Sequence, residues 1–192
     1  MTDFLYSIDL QVFNFLNQTL SCSVLDIVMS TITNVKYWIP LYVIGLACLI
    51  VKGGTKGRIL VLLLLLGIGI SDTLNSRIIK NIVQRERPCH AVLYANLPIG
   101  CPGGKSFPSS HAFNNFCAAM IIGMFYKRRR LLFLLIAGVI AITRPYLGVH
   151  YPSDIIAGAV LGALLGYLLA IAAQKLVYRC WKIDLLIQKN PL

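Results

Sequence analysis

Residues 155–173 read IIAGAVLGALLGYLLAIAA and carry no charged side chain. An α-helix needs about 20 such apolar residues to cross the hydrocarbon core of a bilayer. Residues 41–51, 59–70 and 131–142 form further runs almost free of charge, and they approach that length when the polar residues at their ends are included. The sequence therefore predicts an integral membrane protein.

The composition agrees with these runs, since 57% of the residues are apolar and 13% are charged. A soluble domain is about half apolar and about a quarter charged. With 192 residues the chain has the length of one domain, so we expect residues 1–192 to form a single unit. We predict an all-α, multi-pass bundle of transmembrane helices. Its five clear spans are predicted at residues 36–51, 57–79, 109–126, 130–147 and 152–176.

Residues 4–33 are ambiguous. They have a helical apolar period, which Asp9, Gln11, Asn14 and Asn17 interrupt. The pattern fits an amphipathic helix lying in the interface, and it also fits a sixth span. Between these two interpretations we favour a bent sixth span.

The net charge of +11 would suggest a nucleic-acid partner in a soluble protein. Here the cations are grouped in alternate loops, as the cytoplasmic segments of a membrane protein require. We therefore expect contact with a lipid bilayer and no nucleic acid. Segments 52–58, 127–130 and 177–192 are predicted to lie inside, which leaves 80–108 and 148–151 outside.

The predicted outer segments also carry cationic side chains, and the enrichment of cations in cytoplasmic segments does not explain them. The first cluster is the segment KNIVQRERP, which begins at Lys80. In a helix, Lys80, Gln84 and Arg87 would share one face just beyond the membrane. Arginine offers a planar fork for phosphate oxygens and lysine a compact charge. The alternative is snorkelling or contact with lipid headgroups, in particular for Arg77 and Arg85.

The second cluster, FPSSHAFNNF, stands at the start of a predicted span. Ser109 is a good N-cap, after which the backbone N–H groups of Ser110 and His111 have no partner within the helix. Such a helix end binds anions readily. The alternative is an ordinary capped helix with a histidine at the interface.

The third cluster, TRPYLGVHYPSD, leads into the run quoted first. Pro152 suits the first turn of a helix. Asp154 lies within reach of His150 and would accept a hydrogen bond from one ring nitrogen, which leaves the other nitrogen free as a nucleophile. The alternative is a structural His–Asp pair. The cluster also contributes a further cation, Arg144.

The pattern KxxxxxxRP, then PSxH, then RxxxxxHxxxD, over residues 80–154, resembles the type 2 phosphatidic acid phosphatase superfamily. That superfamily shares its site with vanadium-dependent haloperoxidases and glucose-6-phosphatase. The resemblance implies that His150 is a nucleophile that forms a phosphohistidine, that Asp154 orients it and that His111 protonates the leaving group. The residues implied to hold the phosphoryl oxygens are Lys80, Arg87, Ser109, Ser110 and Arg144.

No metal and no other cofactor is expected on this scheme, because cationic side chains and helix-end amides stabilise the charge. Cys89 and Cys101 bracket part of the outer loop. They are candidates for a disulfide if that loop faces an oxidising compartment, and two separate thiols are the alternative.

The resemblance implies a membrane lipid phosphatase that acts on a phosphomonoester or a diphosphate at the outer face of a bacterial inner membrane. Small relatives act on undecaprenyl diphosphate, phosphatidylglycerol phosphate, phosphatidate or the phosphates of lipid A, and the motifs do not choose among these. A non-catalytic lipid-binding or lipid-translocating protein on the same scaffold is the alternative, and a haloperoxidase-like oxidant is a weaker one. The oligomeric state stays open.

Overall fold

The computed structural model describes residues 2–186, without the side chains of Thr2, Asp3 and Trp181. Lys189, in the predicted inner tail, lies outside the described residues. The described part is helical, as predicted, and has no β-strand. Two π-helical turns, Phe15–Thr19 and Leu74–Ile79, accompany the α-helices. The α-helices are α1 (Thr2–Asn14), α2 (Ser23–Thr33), α3 (Val35–Lys52), α4 (Gly54–Thr73), α5 (Lys80–Val83), α6 (Pro88–Ala91), α7 (Ser110–Phe125), α8 (Arg130–Tyr146) and α9 (Pro152–Trp181).

Three helical segments in the described part are long and apolar enough to cross a membrane: Val35–Lys52, Gly54–Ala91 and Pro152–Cys180. Helices α7 and α8 have 16 and 17 residues. At 1.5 Å per residue they rise about 25 Å, slightly less than the thickness of a typical hydrocarbon core. The predicted number of five or six spans is therefore not confirmed.

The N-terminal segment is a bent pair of helices. Phe4–Thr19 and Ser23–Thr33 meet at 114°, and together they fit a broken span or a re-entrant loop. Asp9 and Asn17, which interrupt the apolar period, are buried in the protein, whereas Phe4 and Phe15 are exposed. Two of the interrupting polar residues therefore pack inward, as expected of a helix surrounded by lipid, whereas Gln11 is exposed.

Helices α7 and α9 make the most extensive contact in the bundle. The glycines at 158, 162 and 166 allow it, because they remove side chains where the two backbones meet. A Cβ at Gly162 would lie 2.2 Å from the carbonyl oxygen of Phe113, and one at Gly158 would lie 2.7 Å from that of Ser109. This close packing ties the start of α7 to the start of α9.

The basic connections and the motif clusters lie at opposite ends of the bundle. At one end, Lys56 lies 5.5 Å from the ring centre of Tyr126, beside the short helical turn at residues 127–129. At the other end, Arg144 near the end of α8 donates to Thr33 at the end of α2. Because α4 alone has 20 residues, the two ends are about 30 Å apart.

The segment KNIVQRERP does not form the predicted helix. Helix α5 ends at Val83, and Gln84 adopts a left-handed conformation with a φ of 51°. Arg87 is extended and precedes Pro88, the first residue of α6. The prediction that Lys80, Gln84 and Arg87 share one helix face was therefore wrong, because the residue before a proline avoids helical geometry.

Candidate active site

His150 lies in the connection between α8 and α9, and Asp154 lies in the first turn of α9. Both side chains are buried, at 2% and 0% exposure. The Nδ1 atom of His150 lies 3.5 Å from Oδ2 of Asp154. The structure therefore brings together the pair that the sequence predicted, with the carboxylate facing Nδ1.

The opposite nitrogen of His150 faces a cation. One Nη atom of Arg87 lies 3.1 Å from Nε2 of His150. Because a guanidinium has no acceptor, Nε2 must accept this hydrogen bond with its lone pair. The ring proton is then on Nδ1, toward Asp154, and Nε2 is the nitrogen that carries the lone pair a nucleophile needs.

Burial lowers the pKa of His150 from 6.5 to about 4. The hydrogen bond to Asp154 opposes this effect, and the positive charge of Arg87 adds to it. The imidazole is therefore neutral at physiological pH, the state in which it acts as a nucleophile.

Four groups surround the carboxylate of Asp154. The backbone N–H of Tyr151 donates to its Oδ2 at 2.8 Å, and the hydroxyl of Ser106 donates to the same oxygen. Arg85 donates to its Oδ1 at 2.7 Å. Together with the Nδ1 of His150, these contacts hold the carboxylate in one orientation.

Arg85 does not snorkel to the lipid headgroups. Its second Nη atom lies 2.5 Å from Asp9 in α1, and its first also donates to Ser153 at 2.6 Å. Its guanidinium carbon lies 4.0 Å from the centre of the Tyr151 ring. Arg85 therefore joins Asp154 to the N-terminal helix.

Ser109 caps α7 as predicted, although its contact with the N–H of Ala112 is long, at 3.5 Å. The backbone N–H of Ser109 donates to the carbonyl oxygen of Asp154 at 3.0 Å. The hydroxyl of Ser110 accepts from Asn75 at 2.8 Å. Both serines are thus positioned by neighbouring elements, at the N-terminal end of α7.

His111 follows in the first turn of α7. It is partly buried and interacts with the backbone of Thr33. Arg144, His150 and Lys80 all act on it electrostatically. The structure therefore brings the two motif histidines into one site, with His111 on the side of α2.

The three motif cations surround the same site. Arg87 and Arg144 are each 6% exposed. Arg87 also donates to the carbonyl oxygens of Gly104 and Val149, at 3.1 and 3.0 Å. The electrostatic neighbours of Lys80 include Arg87, Arg144 and Asp154. Three cations around one carboxylate leave an excess of positive charge, which suits a phosphate.

Arg144 has a buried hydrogen-bond donor to spare. One of its Nη atoms donates to Thr33 at 2.8 Å. Its Nε is buried without a hydrogen-bond partner among the described residues. Because a buried charged donor without an acceptor is costly, this nitrogen is suited to an anionic ligand.

The outer loop is cross-linked. Cys89 and Cys101 form a disulfide with a Cα–Cα distance of 5.7 Å. His90 lies beside them, with Nε2 at 3.2 Å from the sulfur of Cys101, so these three residues have the chemistry of metal ligands. Both sulfurs are used in the bridge, so they do not act as thiolate ligands in this form.

Sequence reasoning missed Arg85, Ser106, Asp9 and Thr33. Asp9 could have been predicted to have a buried partner, because it is a carboxylate that interrupts an apolar helical period. Ser106 lies in a loop rich in glycine and proline, where nothing in the pattern distinguishes it. Its backbone N–H donates to the carbonyl oxygen of Arg85 at 2.8 Å, a contact visible only in the fold.

A family model described as the PAP2 superfamily matches residues 59–178. The lipid A 4'-phosphatase of Bacteroides thetaiotaomicron is 34% identical over 189 residues, which cover 93% of this chain and 83% of the relative. The transmembrane PAP2-type phosphatidylglycerolphosphate phosphatase of Bacillus subtilis superposes with a TM-score of 0.72 at 28% identity, over 89% of this chain and 87% of that one. The fold is also similar to that of LpxE from Aquifex aeolicus, with a TM-score of 0.61 at 23% identity over 83% and 93% of the two chains.

Proposed function

This chain belongs to the PAP2 superfamily and is a lipid phosphatase, and from this premise we propose that it hydrolyses a lipid phosphomonoester or diphosphate through a phosphohistidine. His150 is the nucleophile in this proposal, and His111 is the acid. The observation that carries it is the environment of His150, whose Nδ1 lies toward Asp154 and whose Nε2 lies toward Arg87.

The first step forms a bond between Nε2 of His150 and phosphorus, and it breaks the bond between phosphorus and the leaving oxygen. His111 gives its proton to that oxygen. Asp154 stabilises the positive ring of His150, as the carboxylate of a catalytic triad does. Arg87, Arg144 and Lys80 neutralise the phosphoryl oxygens, and the N–H groups at the start of α7 assist.

The second step releases phosphate. A water molecule attacks phosphorus and gives a proton to His111, which is neutral after the first step. The bond between phosphorus and Nε2 breaks, and His150 returns to its starting form. No metal ion is required by this scheme, because the side chains of the site balance the charge of the phosphoryl group.

We also infer that the site faces the outer side of a bacterial inner membrane. The cationic connections lie at the end of the bundle opposite the site, and such connections are retained in the cytoplasm. A lipid phosphate in the outer leaflet then reaches the site directly.

Phosphate release by the purified protein tests the chemistry. We expect turnover of lipid phosphates with EDTA present, inhibition by vanadate, and acid-labile phosphorus-32 on the protein after rapid quenching of a labelled substrate. His150→Ala should abolish turnover and labelling. His90→Ala is the matched control and should retain both.

The variant His111→Ala distinguishes the role of the acid from that of the nucleophile. It should lose more activity on a lipid alkyl phosphate than on p-nitrophenyl phosphate, because nitrophenolate departs without a proton. Normal turnover by His150→Ala would disprove the assigned nucleophile. Failure of the wild-type protein to release phosphate from any of these substrates would reject the catalytic proposal as a whole.

A further inference from the structure

Asn75 is a buried polar residue that neither the sequence motifs nor the proposed mechanism uses. It lies in the π-helical turn that follows α4, and none of its surface is exposed. Turns of this kind occur often at functional sites. Its side-chain oxygen, Oδ1, is buried and has no hydrogen-bond partner among the described residues. Because an unpaired buried polar atom is costly, stability alone does not explain an amide at this position.

The side-chain nitrogen of Asn75 faces the start of α7. It lies 3.4 Å from the carbonyl oxygen of Pro108 and 2.8 Å from the hydroxyl oxygen of Ser110. A carbonyl oxygen only accepts, so the nitrogen of the amide, and not its oxygen, must be the atom on this side. Nδ2 therefore donates to Ser110, and the hydroxyl of Ser110 is the acceptor in this contact.

This contact leaves the proton of the Ser110 hydroxyl free. A hydroxyl has one proton to donate and two lone pairs that accept. Asn75 occupies a lone pair, and the hydroxyl donates no hydrogen bond to the residues that the structure describes. Ser110 opens α7 between Ser109 and His111, and both of these neighbours lie at the site. The free proton is thus available to an oxygen of the bound phosphoryl group.

The backbone of Asn75 holds a second residue of the phosphate site. Its carbonyl oxygen accepts from the N–H of Lys80, five residues later. In a regular α-helix, two residues five positions apart point about 140° away from each other. The π-helical turn closes after five residues, so Lys80 returns to nearly the same face as Asn75. Asn75 therefore stands between Lys80 and Ser110, and it is bonded to both.

We propose that Asn75 is a positioning residue for the phosphoryl group, and that its amide directs the hydroxyl proton of Ser110 toward a phosphoryl oxygen. The inference rests on the phosphatase mechanism proposed above. It goes beyond that mechanism because it assigns a residue outside the sequence motifs and gives the side chain of Ser110 a donor role.

Inhibition by vanadate tests this role, because vanadate resembles the transferring phosphoryl group and has no lipid part. Asn75→Ala and Ser110→Ala should each raise the inhibition constant by about tenfold, the effect expected for one hydrogen bond to a charged group. Ser110→Thr keeps a hydroxyl and should restore most of the affinity. All variants are compared at equal amounts of folded enzyme.

A double-mutant cycle shows whether Asn75 acts through Ser110. In the Ser110→Ala background the hydroxyl is absent, so Asn75→Ala should have little further effect on the inhibition constant. Additive losses in the folded double variant would overturn the inference. An unchanged inhibition constant in either folded single variant would also overturn it. The second criterion needs only Ser110→Ala if Asn75→Ala does not fold.

Ser71→Ala is the matched control. Ser71 is buried one turn earlier in the chain and donates to Asn114 of α7 at 2.6 Å, so it belongs to the same helix contact, one turn farther from the start of α7. This variant should lower the melting temperature in detergent and leave the inhibition constant unchanged. An equal rise in the inhibition constant would show that any disturbance of the contact has the effect, which contradicts a specific role of Asn75.

These outcomes are separate from a failure of the proposed function. A wild-type protein that releases phosphate, with variants that behave against expectation, would retain the phosphatase mechanism and lose only the role of Asn75. A wild-type protein that releases no phosphate from any lipid phosphate would instead reject the proposed function, and this inference with it.

Discussion

At the scale of the residue, the protonation of His150 governs the chemistry. Because burial lowers its pKa to about 4, the ring is neutral above pH 4 and cationic below it. We expect its carbon-13 resonance to titrate with a midpoint near pH 4 in phosphate-free detergent. His90→Ala and His111→Ala provide the assignment. A midpoint near the ordinary histidine value of about 6.5 would contradict the buried geometry.

Arg85 is a positioning residue for the same pair, and Arg77 is its matched control. The two arginines are near neighbours in the sequence, but Arg77 is exposed and its side chain has no ion pair among the described residues. Arg85→Gln should lower kcat by about a hundredfold, the loss expected when a catalytic group is misplaced by about 1 Å. It should also raise the pKa of His150, because Asp154 would lose a neutralising charge and would stabilise the imidazolium more strongly.

Arg77→Gln should change neither kcat nor the titration of His150. A purely structural role of Arg85 would lower the amount of folded enzyme and leave the titration midpoint of the surviving protein unchanged. That result would disprove the electrostatic role of Arg85.

The site residues predicted from the sequence were ionisable side chains next to apolar segments, where a buried charge is costly. His150, Asp154 and Arg144 flank the most apolar run, and their side chains come together in the fold. Asp9 and Arg85 are 76 positions apart, so their ion pair depends on how α1 lies beside the segment between α5 and α6, and it cannot be derived from local spacing. The helix expected through Gln84 failed at a left-handed residue, although Pro88 was a signal against it.

At the scale of the element, the contact between α7 and α9 holds the site together. It joins the cap of α7 at Ser109 to the first turn of α9 at Asp154. The glycines at 158, 162 and 166 allow this contact, because they carry no side chain where the two backbones meet. The bend of 114° in the N-terminal segment was predicted only in outline, because it depends on the polar residues there finding partners in other helices.

Substitution at Gly162 tests this contact. An added methyl group would lie 2.2 Å from a backbone oxygen of α7, so the two helices must separate. We expect Gly162→Ala to destabilise the folded protein by about 1–3 kcal/mol and to lower kcat. Thermal unfolding in detergent and phosphate release measure the two effects.

Gly138→Ala is the matched control, since a Cβ at that position meets no atom within 4 Å. It should be neutral or slightly stabilising, because alanine is the better helix former. If the two variants had equal melting temperatures, the backbone contact between α7 and α9 would not be a source of stability.

At the scale of the whole molecule, the distribution of charge predicts the orientation in the membrane. Lys105 in the outer loop and Arg129 in the basic turn are both exposed. In a background without the four free cysteines, Lys105→Cys should react with a membrane-impermeant maleimide in intact spheroplasts. Arg129→Cys should react only after permeabilisation. The reverse labelling pattern would contradict the orientation and the leaflet assigned to the substrate.

The architecture could be predicted from sequence more completely than the depth of each helix in the bilayer. Apolar runs locate the helices, but α7 and α8 extend between the site and the basic turn, and they are one or two residues shorter than the predicted spans 109–126 and 130–147. Helix length at these ends is determined by capping and by contacts with the outer loop, which hydropathy does not describe.

The bridge between Cys89 and Cys101 has a practical consequence for anyone who produces the protein. It begins two positions after Arg87, so it restrains the loop that carries a proposed phosphate-binding guanidinium. Protein synthesised in a reducing cytosol, or stored with a thiol reductant, would carry this loop unbridged. Preparations of identical sequence and purity would then differ in specific activity according to their handling. Alkylation of free thiols before assay traps the unbridged fraction and allows it to be measured, so that specific activities can be compared at a known degree of bridging.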